Sequence, residues 1–119
     1  MGYRSEVGLC LDAAGEKTLA EALQNLETHN EHAGSIRELF ASAERKQDED
    51  SGAAAYYWDW LKWYQDYPDV VFAESFLESL ENDDYLFIRV GKSDADTEYR
   101  GEFWENPLGM CLVRGIAFD

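Results

Sequence analysis

Residues 68–91 read PDVVFAESFLESLENDDYLFIRVG, and this stretch contains both of the periodicities on which the fold depends. Apolar residues recur in its first half at spacings of three and four, which predicts a helix over residues 68–81. Pro68 suits the first turn of that helix, because its nitrogen carries no hydrogen that would remain unpaired there. The next apolar run, residues 85–90, is short and is closed by Gly91, which predicts a strand.

The segments before this stretch carry the same two kinds of pattern. Residues 3–11 alternate between two faces, which predicts a strand. After a break at residues 12–15, leucines at helical spacing predict a helix that ends near Asn30. Ser35 is predicted to cap a second helix, because Glu38 stands three residues later, as a capping box requires.

The middle of the chain is ambiguous. Residues 46–52 are polar and predict a loop. The aromatic residues that follow favour a strand, whereas polar side chains at positions 59, 62 and 66 would line one side of a helix. We interpret this segment as a strand that runs to about Trp58, followed by a short helical turn over residues 60–65 that Asp59 caps.

The last third of the chain is predicted to contain three strands joined by short connections. They cover residues 85–90, residues 97–103 (ending near Gly101) and residues 110–118, with an acidic loop or turn over residues 92–98. Short connections favour antiparallel pairing. The sequence therefore predicts a single α+β domain over residues 1–119. It has a mostly antiparallel sheet of about four or five strands, with about three helices packed on one face.

The charge balance narrows the classes of partner. The chain has 119 residues, of which 25 are acidic and 10 are basic, and its net charge is −15. Affinity for nucleic acid comes from Lys and Arg that neutralise phosphates, so direct binding of nucleic acid and of anionic membranes is disfavoured. A basic protein partner is favoured, because opposite charges steer association. Solubility alone is the alternative explanation of the charge.

The cysteines and the N-terminal residues indicate a cytosolic protein. Cys10 and Cys111 lie in apolar segments near the two ends of the chain, and we predict buried free thiols rather than a disulfide framework. Glu6 interrupts the first apolar run, so no signal peptide is expected. No stretch approaches the ~18 consecutive apolar residues that indicate a membrane-spanning helix.

No pattern for catalysis or for cofactor binding is complete. A nucleophile elbow and a phosphate-binding glycine loop are both missing from the sequence. Acidic residues from Asp94 to Glu105 fit the spacing of a calcium loop, but Tyr99 stands where that loop needs glycine. His29 and His32 are close in sequence with no further ligand near them, and we interpret them as a surface pair. We predict no catalytic residue, no cofactor and no metal ion.

The distribution of the acidic residues is the most informative feature. Residues 68–84 contain six acidic residues and no basic one, and Glu74, Glu78 and Glu81 are spaced to form one like-charged stripe on a helix. Rows of carboxylates can occupy an Arg- and Lys-lined groove meant for nucleic acid, and a solvated acidic face is the alternative. The residues predicted to bind a partner are Glu74, Glu78, Glu81, Asp83, Asp84, Asp94, Asp96 and Glu98.

Seven aromatic residues lie between Tyr56 and Tyr67. We predict that most of them pack in the core and that an exposed remainder anchors a protein interface, where Trp and Tyr are enriched.

Four stretches resemble small acidic proteins encoded by phages and prophages. They are Tyr3–Val7, Lys62–Tyr64, Tyr67–Val70 and Phe87–Gly91, so the resemblance spans nearly the whole chain. In size and charge the chain is also similar to anti-CRISPR proteins. The resemblance implies a bacterial cytoplasm and a host defence complex as the target, and it carries over no catalytic residues.

These observations lead to one functional hypothesis and two alternatives. The hypothesis is a phage-encoded inhibitor of the anti-CRISPR type. It would bind a basic, nucleic-acid-binding protein or ribonucleoprotein complex through acidic patches and block it without turnover. The first alternative is a non-enzymatic adaptor or a homo-oligomeric structural protein, such as a homodimer. The second alternative is a small metal-dependent enzyme.

Overall fold

The computed structural model describes residues 5–26, 32–63, 67–91 and 96–110. In chain order the described elements are β1 (Ser5–Leu11), α1 (Ala13–Gln24), α2 (Ala33–Ala41), β2 (Glu44–Gln47), β3 (Ala54–Leu61), α3 (Pro68–Glu78), a 3-10 turn (Asn82–Asp84), β4 (Tyr85–Val90) and β5 (Thr97–Gly101).

The described strands form one sheet in the order β2-β3-β1-β4-β5, and every neighbouring pair is antiparallel. β1 is the central strand of the sheet, between β3 and β4, and it buries side chains on both of its faces. Val7, Leu9 and Leu11 are buried on one face, and Cys10 is buried on the other. Buried side chains on both faces need apolar cover above and below the sheet.

The three helices that the structure describes pack on the face of the sheet that carries Val7, Leu9 and Leu11. Leu19 of α1, Phe40 of α2, and a group of buried α3 residues share one apolar cluster with that face. The opposite face is covered instead by side chains from residues 103–110. The predicted α+β class, with helices on one face of a mostly antiparallel sheet, is therefore confirmed.

The beginnings of α1 and α2 differ from the predictions. Helix α1 begins at Ala13, inside the break that the sequence predicts at residues 12–15. Asp12 caps this helix by accepting a hydrogen bond from the Gly15 N–H at 2.8 Å. Ser35 is not the cap of α2, which begins two residues earlier and has His32 at its N-cap. The Ser35 hydroxyl donates to the His32 carbonyl at 3.0 Å, so it lies inside the first turn.

The strand β2 was not predicted, since all four of its side chains are exposed and give no apolar alternation. It includes Lys46 and Gln47, which the sequence assigns to a loop. The predicted end of β3 at Trp58 and the helical turn from residue 60 are also wrong, because β3 continues to Leu61. A bulge near Glu6 lets β3 remain paired with β1 as far as the Ser5–Leu61 pair. Residues 64–66 lie outside the described residues.

The helix α3 ends at Glu78, three residues before the predicted end, and β4 has the predicted bounds. β5 ends at Gly101 as predicted. Gly101 has a φ of 86°, and a Cβ at this position would overlap the Tyr85 carbonyl oxygen, so only glycine fits there. Of the predicted last strand, Met110 is described and is not in a strand, and residues 111–118 lie outside the described residues.

Candidate protein-binding surface

Strand pairing brings eight acidic residues to one end of the sheet. Leu11, the last residue of β1, pairs with the first residues of both β3 and β4, and Gln47 and Gly101 end β2 and β5 at the same level. The residues that flank these strand ends therefore lie side by side. We call them the acidic end: Asp12, Asp48, Glu49, Asp50, Glu81, Asp83, Asp84 and Glu102.

Backbone hydrogen bonds hold the centre of the acidic end together. The Asp12 N–H donates to the Asp84 carbonyl at 2.9 Å, which joins the end of β1 to the segment before β4. The Glu102 N–H donates to the Asn82 carbonyl at 2.7 Å, which adds the end of β5. The turn between β2 and β3 completes the surface, because Gly52 packs against Ala13 at the start of α1.

The acidic end concentrates negative charge without a counter-ion from the described residues. None of its eight carboxylates forms an ion pair with a described basic side chain. The Asp12 side chain, which hydrogen bonds to the Asp84 carboxyl and adds a like charge, raises the pKa of Asp84.

Burial, followed by the charges of Asp12 and Glu16, raises the pKa of the Cys10 thiol to about 12.

Other acidic residues are neutralised by two arginines that sequence reasoning did not single out. Arg89 of β4 is half-buried and binds Asp96 at 2.7 Å and Glu98 at 3.0 Å, and it also donates a hydrogen bond to the Ser5 hydroxyl. These contacts join β4 to β5 and to β1. The described part of the predicted acidic row beside β5 is therefore an ion-pair network.

The second arginine, Arg100 of β5, reaches α3. Its guanidinium forms an ion pair with Glu74, and its other terminal nitrogen lies 4.0 Å from a Glu78 carboxylate oxygen. Both Arg100 and Glu74 expose 22% of their side chains. Glu74 also accepts a hydrogen bond from the Trp63 indole at 3.4 Å. Glu74 therefore connects α3 to the sheet.

The structure separates the predicted partner-binding residues into two groups. Asp83 and Asp84 lie in the acidic end together with Glu81, which is outside α3, so the predicted single stripe from Glu74 to Glu81 is wrong. Glu78 is exposed and lies 4.0 Å from Arg100, at the outer limit of an ion pair. Glu74, Asp96 and Glu98 are ion-paired within the chain, and Asp94 lies outside the described residues.

Five members of the acidic end are not among the residues predicted to bind a partner: Asp12, Asp48, Glu49, Asp50 and Glu102. Each of them follows a strand or lies in the turn after one, a position that the sequence does show. The order of strands in the sheet cannot be deduced from the sequence. The sequence therefore does not show that the ends of β2, β1 and β5 lie beside the beginnings of β3 and β4.

The described cysteine and most of the described aromatic residues between positions 56 and 67 contribute to the core of the fold. Cys10 is a buried free thiol, as predicted, and Cys111 lies outside the described residues. Tyr56, Trp58 and Trp63 of the aromatic group are buried. Tyr57 is partly exposed, and its hydroxyl donates to the Glu6 carboxylate.

No family model, curated protein or solved structure matches the chain. None of the helices that the structure describes is long and apolar enough to cross a membrane. Among the described residues, no group of three or more His, Cys, Asp or Glu side chains is arranged to hold a metal ion. The chemistry of the chain's own surface is therefore the basis for a functional proposal.

Proposed function

We propose that the chain is a non-enzymatic binding protein that occupies a basic, nucleic-acid-binding surface of another protein through its acidic end. The observation that carries the proposal is the convergence of eight carboxylates on one end of the sheet, with no ion pair to a described base. Carboxylates accept hydrogen bonds from Arg and Lys in the same way as phosphate oxygens do.

The separation of the acidic residues into two groups supports this proposal. The ion pairs of Glu74, Asp96 and Glu98 hold strands and a helix together, which gives those charges a structural role. Most carboxylates of the acidic end have no such structural role. Those of Asp12 and Asp84 repel each other. A basic partner would relieve that repulsion. Inhibition of a host defence complex, as the sequence resemblance implies, is the specific form of this proposal.

A pull-down with matched variants tests the proposal. The acidic-end variant carries Glu81→Gln, Asp83→Asn and Glu102→Gln. The control variant carries Glu21→Gln, Glu38→Gln and Asp59→Asn. All six native side chains are exposed, and each variant loses three negative charges, so net charge cannot separate the two.

Tagged wild-type chain should capture a nucleic-acid-binding protein from bacterial lysate, and competitor duplex DNA or high salt should release it. The control variant should retain this partner, and the acidic-end variant should lose most of it. Equal capture by both variants would show that the acidic end does not bind the partner. A partner that DNA does not displace would contradict the proposed mode of binding.

A further inference from the structure

A cleft of about 370 Å³ lies where β3 extends beyond the first residue of β2. Glu44 begins β2 and pairs with Tyr57, and β3 continues from this pair to Leu61. The cleft is lined by Ser42, Glu44, Tyr57, Trp58, Asp59 and Leu61. Its volume falls within the range of roughly 300–1,000 Å³ that is usual for small-molecule sites. We call it the Tyr57 cleft.

Carboxylates stand on more than one side of the Tyr57 ring. Glu44 lies directly opposite Tyr57 on β2, and Asp59 follows two residues later on β3, so their side chains share one face of the sheet. Glu6 of β1 accepts a hydrogen bond from the Tyr57 hydroxyl. This hydrogen bond, then burial, then the charges of Glu6, Asp59 and Glu44 raise the pKa of Tyr57 to about 12.

The charges in the Tyr57 cleft are not neutralised by the described part of the chain. Neither Glu44 nor Asp59 forms an ion pair with a described basic side chain. Both side chains are exposed. The cleft therefore offers two negative charges beside an aromatic ring.

The Tyr57 ring adds a second attraction for a cation. The residue is 37% exposed, and the hydrogen bond to Glu6 holds its hydroxyl in place. A cation within about 6 Å of the centre of a tyrosine ring is attracted to the face of that ring. One positive group in the cleft can therefore contact the ring while it donates hydrogen bonds to the carboxylates.

We propose that the Tyr57 cleft binds a primary alkylammonium ion, which donates hydrogen bonds to Glu44 and Asp59 and places its charge against the Tyr57 ring. An ammonium group has three donors and no acceptor, so it suits a lining of carboxylates. Leu61 is partly exposed and gives the alkyl chain an apolar contact. A metal ion fits this lining less well, because no group of three or more His, Cys, Asp or Glu side chains is arranged to hold one among the described residues.

The Tyr57 cleft is separate from the acidic end. The acidic end includes the turn that follows Gln47, the last residue of β2, whereas the cleft lies at Glu44, the first residue of the same strand. The two sites can therefore be changed independently.

A titration of the ¹⁵N-labelled full chain with propylammonium chloride, followed by NMR at constant ionic strength, tests the proposal. The backbone N–H signals of Glu44, Tyr57 and Asp59 should shift and reach saturation. The neutral analogue 1-propanol should give no saturable shift. Tetramethylammonium, which has no N–H donor, should bind at least about threefold more weakly.

Matched variants locate the bound cation. Glu44→Gln and Asp59→Asn should each weaken the binding of propylammonium at least about threefold, as is typical for the loss of one exposed charge pair. Tyr57→Leu, which removes the ring, should weaken it to a similar extent. The control Glu38→Gln removes an exposed carboxylate of α2 that does not line the cleft, and it should bind like the wild type.

Three outcomes would overturn the proposal: shifts that rise without saturation, equal shifts with sodium chloride, and equal weakening by Glu44→Gln and Glu38→Gln. The acidic-end variant should bind propylammonium like the wild type. The control variant of the pull-down carries Asp59→Asn, so it should bind propylammonium more weakly and still retain the captured protein. The two proposals can therefore fail separately.

Discussion

The ion pair between Glu74 and Arg100 gives the sharpest test of the division between structural and exposed acidic residues. It connects α3 to β5, and both side chains expose only 22% of their surface. We expect that removal of either charge destabilises the fold, because the other charge is then left half-buried without its partner. Glu74→Gln, Arg100→Gln and the double variant form a double-mutant cycle.

The expected coupling energy follows from the burial of the pair. Fully exposed ion pairs are worth about 0.2–1 kcal/mol, and hydrogen bonds to charged groups inside proteins are worth about 1.5–3 kcal/mol. A pair that is about one-fifth exposed lies between these ranges, so we expect a coupling of about 1–2 kcal/mol. Glu74→Gln keeps an oxygen that can accept the hydrogen bond of the Trp63 indole, so the cycle isolates the charge interaction.

Urea unfolding at low protein concentration measures the cycle, with Glu81→Gln as the reference for an acidic residue that has no described ion pair. We expect Glu81→Gln to change the free energy of unfolding by less than about 0.5 kcal/mol, as is usual for surface substitutions. A coupling energy near zero between Glu74 and Arg100 would refute the structural role of this pair. Glu74 would then belong with the exposed acidic residues.

Three further predictions follow from single positions. Asp84→Asn should raise the melting temperature at pH 7, because the raised pKa means that ionised Asp84 costs stability beside Asp12. This gain should shrink as the pH falls and the native carboxyl takes up its proton, which thermal melts across pH will show. Gly101→Ala should cost at least about 2 kcal/mol in urea unfolding, because a Cβ there meets a carbonyl oxygen at positive φ. A loss below 1 kcal/mol would contradict this geometry. In a Cys111→Ser background, Cys10 should resist thiol reagents at pH 8 until the chain unfolds, because its buried thiol has a pKa of about 12. Rapid labelling of the folded chain would contradict its burial.

The sequence allowed most of the described fold to be predicted where apolar periodicity was strong. The strands β1 and β4 and the helix α3 each bury a face, and their patterns show it. The strand β2 could not be predicted, because its four side chains are all exposed and it is defined only by pairing with β3. The end of β3 was missed for a similar reason, since its pairing with β1 depends on a bulge.

The candidate surface was predicted only in part, because charge pairing is a long-range property. Arg100 is 26 residues from Glu74 in sequence, and nothing local to residues 68–84 indicates that it neutralises this carboxylate. The acidic end likewise gathers loops that are far apart in the chain. Asp83 and Asp84 could be selected from their local charge alone, whereas Asp12 and Glu102 join them only through the strand order.

The affinity of the captured partner for the two charge variants decides whether the acidic end is the binding surface. Calorimetric titration at one salt concentration would compare the wild type with the acidic-end variant and the control variant. We predict that the acidic-end variant binds at least about tenfold more weakly, which corresponds to about 1.4 kcal/mol. The control should stay within about twofold of the wild type, or about 0.4 kcal/mol. Equal weakening of both variants would contradict the account, because binding would then depend on net charge and not on the acidic end.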